Sequence, residues 1–285
     1  MSQLMESVFK MSEKKLYHFL YKHLLNNDYT KNDIIVNNSN YIMAQGKIPV
    51  LLVAHLDTVH KFPPKEIFHD KEKNVIWSPS GLGADDRAGV YAILKIISKD
   101  VNNSKAQVTQ GKPWILFTSG EEKGGIGAYA AINTLKKPKV KYMIELDRKG
   151  SNDAVFYDCY NKKFVNYITS FGFIKSYGSF SDISILCPAW NIAGVNLSIG
   201  YYNAHTKAEY LKINEMNATL NIVKNIIYNA PKNKFKYYTK DLYKKDNIHN
   251  SYEFYFEDEL LCTDEEIHQM LEYENRKDWF DEKLH

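Results

Sequence analysis

The chain has few cysteines, little net charge and no long apolar run, and each of these shortages excludes a class of protein. Three cysteines occur in 285 residues, Cys159, Cys187 and Cys262, and none forms a closely spaced pair. Neither a disulfide framework nor a cysteine zinc site is therefore indicated. The formal charge of +3 is small for this length, so we expect no general attraction to nucleic acid or to an anionic membrane.

Membrane and export signals are also missing from the sequence. No run approaches the roughly 18 to 20 apolar residues of a membrane span. The opening residues, MSQLMESVFKMSEKK, lack the apolar core of a signal peptide. We therefore expect a cytoplasmic protein without a membrane partner. Hydrophobic residues make up 44% and charged residues 25%, a balance that lets a globular chain bury a sizeable core.

Apolar segments alternate with amphipathic ones along most of the chain, and no internal repeat is visible. The segment PVLLVA, which ends at Ala54, is apolar at every position, as expected of a strand buried on both faces of a sheet. The alternation predicts an α/β domain with a central, mostly parallel mixed sheet flanked by helices. The predicted helices cover 13–25, 87–97, 126–135, 164–171 and 215–228, and the predicted strands cover 41–44, 50–54, 114–118, 141–146 and 195–199.

The composition changes after about Pro231. Residues 232–246 are basic and aromatic, whereas residues 253–282 are acidic with aromatic residues interspersed. We predict a main domain over residues 1–230 and a charged, aromatic C-terminal appendage or tail over residues 231–285. A packed appendage is favoured over a disordered tail, because so many aromatic side chains are costly to leave in water.

Two polar residues, His55 and Asp57, follow the predicted strand 50–54 and are separated by Leu56. Side chains alternate along an extended chain, so His55 and Asp57 point to the same side. A carboxylate at this spacing can fix the tautomer of an imidazole whose other nitrogen binds a metal. Taken alone, His-x-Asp is weak evidence, and an ordinary strand end fits it better.

Further polar residues lie near the carboxyl ends of the other predicted strands. Glu121 and Glu122 follow strand 114–118, and adjacent acidic residues there also suit a helix start. In an open α/β sheet these strand ends converge on the ligand crevice, so a succession of such groups predicts a site. The candidates are His55, Asp85, Glu122, Asp147 and His205, with Asp57 and Glu121 beside them.

Imidazoles and carboxylates without thiolates suit Zn²⁺, with Mn²⁺ or Co²⁺ as possible substitutes. Two histidines and three carboxylates can serve two ions if one carboxylate bridges them. The ordered motifs HLD, GADDRAG, GEE, ELD and NAHT, between Val50 and Met216, resemble those of the co-catalytic zinc peptidases. That group includes leucyl and glutamyl aminopeptidases, tripeptidase T, and zinc carboxypeptidases and deacylases.

The resemblance implies a three-layer zinc-exopeptidase fold of the phosphorylase/hydrolase-like type, two zinc ions per chain and a small peptide substrate. One ion would be held by His55, Asp85 and Asp147. The second would be held by Glu122, His205 and the other oxygen of Asp85.

Three further roles follow from the same resemblance. Asp57 would orient His55. Glu121 would be the general base that acts on a hydroxide-forming water between the two ions. The peptide between Asp85 and Asp86 is expected to be cis.

Aspartate at position 147 resembles the aminopeptidase and tripeptidase branch of this group. The segment between Asp147 and His205 is too short for the lid or dimerisation domain that many relatives insert there. The implied function is removal of an N-terminal residue from small peptides. The alternatives are a deacylase, amidohydrolase or carboxypeptidase of the same group, and a non-catalytic binding protein on this fold.

The residues around these motifs allow only weaker expectations. Ser181 and Asp182 resemble a loop near the site of relatives, but a plain helix cap fits equally well. Glu209 either orients His205 or is exposed. Tyr201 and Tyr202 either line the pocket or, as is more common at a strand end, have packing roles. His60 and His69 are expected at the surface.

Overall fold

The computed structural model describes residues 1–37, 40–98 and 111–240, which form helices around a central sheet. The helices are α1 (Gln3–Lys10), α2 (Glu13–Asn26), α3 (Ala84–Ile97), α4 (Ile126–Thr134), α5 (Lys162–Thr169), α6 (Asp182–Trp190) and α7 (Ile213–Tyr228). The strands are β1 (Ile34–Asn37), β2 (Tyr41–Ala44), β3 (Ile48–His55), β4 (Phe68–Asp70), β5 (Val75–Trp77), β6 (Pro113–Thr118), β7 (Tyr142–Arg148), β8 (Asp153–Val155), β9 (Ile174–Ser176), β10 (Gly194–Ser198), β11 (Tyr201–Tyr202) and β12 (Tyr210–Lys212).

Eight strands form the central sheet, in the order β1-β2-β6-β3-β7-β10-β8-β9. Strands β6, β3, β7 and β10 run parallel at its centre, and β8 and β9 form a further parallel pair. The pairs β1–β2, β2–β6 and β10–β8 are antiparallel. The predicted mostly parallel, mixed sheet is therefore confirmed.

Strand β3 lies between two layers of helices. Val50, Leu52 and Ala54 face a hydrophobic cluster that includes residues of α1, α2, α3, α5 and α7. Leu51 and Val53 face a second cluster that includes residues of α4 and α6. Burying a Val or Leu side chain contributes roughly 1.5–3 kcal/mol, so an apolar residue is favoured at every one of these positions. This arrangement is the predicted three-layer architecture.

The four remaining strands form a smaller antiparallel sheet, in the order β11-β12-β5-β4. The sequence analysis did not predict these strands, because each contains only two or three residues and their pairing joins segments far apart in the chain. Tyr210 of β12 pairs with Trp77 of β5, for example. The small sheet supports the loop between β11 and β12.

The N-terminal helix α1 was also not predicted. The Ser2 hydroxyl accepts a hydrogen bond from the Met5 amide and caps its first turn. At the other end, the buried Arg87 guanidinium donates from Nη1 to the carbonyl oxygens of Val8 at 3.0 Å and Met11 at 3.1 Å. A cation at a helix C-terminus is favourable, so Arg87 links α1 to the start of α3.

The chain continues to pack on the sheet after residue 230. Phe235 is buried, and its ring centroid lies 5.1 Å from that of Phe164. Its amide donates to the Lys141 carbonyl at 2.9 Å, and its carbonyl accepts from the Ala193 amide at 3.0 Å. Residues 241–285, which make up most of the predicted appendage, lie outside the described residues.

Cys159 and Cys187 are buried free thiols, and burial is the main cause that raises the pKa of Cys187 well above its ordinary value. Cys262 lies outside the described residues. Across residues 1–37, 40–98 and 111–240, no helix combines the length and apolar character needed to cross a membrane.

Candidate metal centre

The carboxyl ends of the central parallel strands bring four predicted residues to one edge of the sheet. His55 is the last residue of β3, and Asp147 is the penultimate residue of β7. Glu121 and Glu122 follow β6, whose Thr118 is in register with His55. Because β6, β3 and β7 are adjacent and parallel, their polar ends converge.

Asp85 lies between the two predicted histidine ligands. Its Oδ1 is 3.1 Å from His55 Nε2, and its Oδ2 is 3.3 Å from His205 Nε2. The two oxygens of one carboxylate thus face different imidazoles. This is the arrangement required of a residue that bridges two cations.

A further carboxylate accompanies each imidazole. Asp147 Oδ1 is 3.4 Å from His55 Nε2, and Glu122 Oε2 is 3.1 Å from His205 Nε2. The His55 side chain is fully buried, whereas that of His205 is 56% exposed. The five predicted metal ligands therefore occupy one cluster, with one half deep and the other at the surface.

The donor atoms fit divalent cations such as zinc. Two ligands that each lie about 2.0–2.2 Å from a tetrahedral zinc ion are about 3.3–3.6 Å apart. The separations between imidazole nitrogen and carboxylate oxygen in the cluster are 3.1–3.4 Å. In addition, Glu122 Oε1 is buried without a hydrogen-bond partner, which is costly for a carboxylate oxygen unless a cation meets it.

Asp86 lies beside the cluster but uses its oxygens differently. Single ligand atoms of His55, Asp86 and Asp147 lie within 4.8 Å of one another. However, Asp86 Oδ2 accepts from the His55 amide at 3.2 Å, and Oδ1 accepts from the Gly89 amide at 2.9 Å. The peptide between Asp85 and Asp86 is cis, as expected. Backbone amides thus bind both carboxylate oxygens of Asp86, whereas the oxygens of Asp85 face the two imidazoles.

Asp57 holds the loop that follows β6. Its Oδ1 accepts from the amides of Gly120 at 2.7 Å and Glu121 at 3.2 Å, and its Oδ2 accepts from the Glu122 amide at 3.2 Å. The same Oδ1 lies 3.4 Å from His55 Nδ1. Burial opposes ionisation of Asp57, but the hydrogen bond with His55, its charge and the amides hold the pKa below the ordinary value.

Glu121 is close to the imidazole of the deep half. Its Oε2 lies 3.8 Å from His55 Nε2, and its side chain is only 11% exposed. Burial is the main cause that raises the pKa of Glu121 to about 9, and the nearby carboxylate of Asp147 raises it further while His55 opposes the shift. Cations in the cluster would offset the negative charge that contributes to this shift.

His205 lies in a different element from the one predicted, which was the carboxyl end of the apolar strand 195–199. It does not directly follow the apolar strand β10 but lies in the loop between β11 and β12. Its backbone is left-handed, with φ of 63°, a conformation that costs free energy for a residue other than glycine. The loop of the small sheet therefore holds His205 in a strained position.

Buried groups next to the cluster include Ser181 and Asp182, which the sequence analysis named, and Thr118 and Glu145, which it did not. The Ser181 hydroxyl donates to Glu145 Oε2, and the Thr118 hydroxyl donates to Asp182 Oδ2. Ser181 makes no side-chain capping bond to α6, so the interpretation of Ser181 as a plain helix cap is wrong. Burial raises the pKa of Asp182 to about 6 and that of Glu145 well above its ordinary value. The ELD motif carries a signal for Glu145, which is two residues before Asp147 and shares its face of the strand.

The two tyrosines before His205 face opposite ways. The buried Tyr201 hydroxyl donates to the Asp147 carbonyl at 3.0 Å and to its Oδ1 at 3.3 Å. Tyr202 donates to Glu215 Oε2 at 2.5 Å instead. Tyr201 thus contacts a predicted ligand and is not merely packing.

Two other expectations from the sequence are wrong. Glu209 is fully buried, so it is not exposed, and its carboxylate binds the amides of Gly83 and Asp85 and not His205. His60 is not a surface residue: its side chain is 14% exposed, and Nε2 lies 3.4 Å from Glu209 Oε2. A partner 126 residues distant along the chain explains why Glu209 could not be assigned from its local sequence.

Comparisons with known proteins agree with this geometry. The model of Peptidase family M28 matches residues 37–170, a range that contains the first four of the five motifs. No curated protein sequence matches the chain.

Among solved structures, aminopeptidase PepT from Bacillus cereus is similar, with 15% identity and a TM-score of 0.60 over 79% of this chain and 96% of that chain. A tripeptidase from Staphylococcus aureus has 15% identity and a TM-score of 0.59, with the same coverage. The TET1 peptidase of Pyrococcus horikoshii has 13% identity and a TM-score of 0.60 over 80% of this chain and 99% of that chain. These likenesses show the predicted fold.

Proposed function

We propose that the chain is a metal-dependent peptide hydrolase of the co-catalytic zinc metallopeptidase clan, and that it is an aminopeptidase acting on small peptides; the family match and the similar structures support this proposal. The observation that carries this proposal is the position of Asp85, whose two oxygens face His55 and His205 separately. A carboxylate so placed serves a site of two ions, as in two-metal aminopeptidases.

The proposed ligands fall into two sets that share Asp85. His55 and Asp147 complete the deep set, and Glu122 and His205 complete the exposed set. Two zinc ions in these sets would polarise the scissile carbonyl, lower the pKa of water and stabilise the oxyanion. Mn²⁺ or Co²⁺ could replace zinc with this donor chemistry.

Glu121 is the proposed general base. It lies beside the deep set, 3.8 Å from His55 Nε2, and a carboxylate there can take a proton from the attacking water and return it to the leaving amine. Asp57 binds the amides of residues 120–122 and lies against His55. Asp57 therefore positions the base and a ligand together.

The proposed substrate is a peptide with a free N-terminal amine. Carboxylates dominate the centre. Each of five carboxylates has an oxygen 3.1–3.8 Å from a ring nitrogen of His55 or His205, and these are Asp57, Asp85, Glu121, Glu122 and Asp147. Five carboxylates and two divalent ions give a net charge of about −1, which still favours a cationic ammonium group over an anionic group. The aminopeptidase and tripeptidase activities in the printed names of two similar structures support the same choice.

Paired substrates test the proposal. The zinc-loaded protein should hydrolyse di- and tripeptides with a free amine, and N-acetylation of the same peptides should abolish turnover. Faster hydrolysis of the acetylated peptides would instead assign a deacylase. Absence of hydrolysis in a peptide panel, with bound metal demonstrated by elemental analysis, would favour a binding protein on this fold.

A further inference from the structure

A buried carboxylate connects the loop of His205 to the turn of Asp85. Glu209 is fully buried although it carries a charge. Its Oε2 accepts from the Gly83 amide at 2.5 Å, and its Oε1 accepts from the Asp85 amide at 3.0 Å. Both oxygens are therefore satisfied by one turn, which offsets the desolvation cost of the charge.

The turn is shaped to receive this carboxylate. Gly83 has φ of 69°, and a Cβ added there would lie 3.1 Å from Thr58 Cγ2. A left-handed residue directs neighbouring amides toward the same side and forms an anion-binding concavity. His60 Nε2, 3.4 Å from Glu209 Oε2, borders the same carboxylate. A glycine is thus required where the charge of Glu209 docks.

Glu209 also ends the loop that carries the most weakly held histidine of the centre. His205 is 56% exposed and has a left-handed backbone, so little packing fixes its position. Within the loop, the Thr206 hydroxyl donates to the Asn203 carbonyl at 2.8 Å, and the Ala208 amide donates to Thr206 Oγ1 at 3.1 Å. These bonds stiffen the loop, but Glu209 attaches it to the turn of Asp85.

We infer that Glu209 is a positioning residue that sets the distance between Asp85 and His205. This distance in turn sets the affinity for the ion at the exposed half of the centre. The inference rests on the proposed two-ion site. Loss of the attachment frees the His205 loop, whereas His55 and Asp147 remain fixed by their strands. The deep ion should therefore be retained while the exposed ion is weakened.

Zinc titration of the full chain tests this inference with Glu209→Gln, which keeps the shape of the side chain but removes its charge and one acceptor oxygen. We expect the affinity for one zinc ion to fall about 10–100-fold, as for other residues that orient metal ligands, with the second affinity unchanged. Glu215→Gln is the matched control, because Glu215 pairs with Tyr202 and Lys212 and touches neither half of the centre. Cobalt absorption spectra should show the same selective loss.

A double-mutant cycle separates positioning from general destabilisation. If Glu209 acts through His205, Glu209→Gln should cause no further loss of zinc in a His205→Ala background. Glu209→Asp, which keeps the charge but is shorter, provides a second variant if Glu209→Gln does not fold, and should show the same one-ion loss. Unchanged affinities, or equal weakening of both ions, would overturn the inference. A wild-type chain that binds fewer than two zinc ions would instead overturn the proposed function.

Discussion

Asp57 Oδ1 accepts a hydrogen bond from the Glu121 amide at 3.2 Å, which ties the HLD motif to the GEE motif across 64 residues of sequence. The same oxygen lies 3.4 Å from His55 Nδ1. Asp57 thus contacts the imidazole with its carboxylate and, at 3.1 Å from His55 Nδ1, with its backbone carbonyl oxygen, and it binds the backbone of the proposed base with the same carboxylate. Its role is broader than the resemblance alone implies.

Replacement of Asp57 by asparagine should damage both ligand and base. The amide group can accept at only one of the two positions that now bind residues 120–122, so the loop and His55 lose their orientation. We expect kcat/KM to fall at least 10–100-fold, with a weaker zinc ion at the His55 half. Asp70→Asn is the matched control, since Asp70 accepts from the Glu72 and Lys73 amides at 3.0 Å in a turn of the small sheet. Near-normal turnover of Asp57→Asn would contradict the assignment.

The adjacent residues Glu121 and Glu122 should separate catalysis from metal binding. Glu121→Gln removes the proposed base, so kcat should fall about 10²–10⁴-fold while two zinc ions stay bound. Glu122→Gln removes a carboxylate that lies 3.1 Å from His205, so zinc content should fall by one ion. Elemental analysis and steady-state kinetics on the two variants give the comparison. The reverse pattern, with metal lost from the Glu121 variant, would exchange the two roles.

Much of the central sheet could be predicted because its strands are buried on both faces. Strand β2 covers the predicted residues 41–44, and β3, β6, β7 and β10 begin and end within two residues of their predicted bounds. The ligand residues could be found because parallel strand ends converge. The small sheet could not, since its strands are short and their pairing is non-local. The roles of buried carboxylates such as Glu209 could not be predicted for the same reason, because their partners lie far away in sequence.

Packing of residues after 230 should contribute measurably to stability. Phe235 lies in a cluster of rings with Tyr142, Phe164 and Tyr167. Phe235→Ala should lower the free energy of unfolding by about 3–5 kcal/mol. Phe62→Ala is the control, because Phe62 is 70% exposed and its loss should change stability by less than about 0.5 kcal/mol. Urea unfolding of both variants makes the measurement, and equal stabilities would contradict the contribution assigned to the Phe235 ring.

The metal-free protein should lose stability as the pH rises above neutrality. Hydrogen bonds to Asp85 and Glu122 raise the pKa of His205 to about 11 in the absence of metal. A folded-state pKa above the unfolded value of about 6.5 means that the protonated imidazole stabilises the fold fully below pH ~6.5, and that this contribution disappears as the pH rises toward about 11. Urea unfolding in excess chelator from pH 6 to 10 should show the decline. His205→Gln should make it shallower, and an identical slope in that variant would contradict the assignment.

The raised pKa of His205 in the metal-free protein also predicts that zinc binding releases protons. Zinc requires the neutral imidazole, whereas His205 in the metal-free centre is protonated at pH 7 because of its carboxylate neighbours. Titration calorimetry in two buffers with different ionisation enthalpies should therefore give different apparent binding enthalpies, and zinc affinity should rise with pH. Replacement of His205 should reduce the number of released protons. Buffer-independent enthalpies would mean that His205 is neutral before the metal binds, and that Asp85 and Glu122 do not hold its proton.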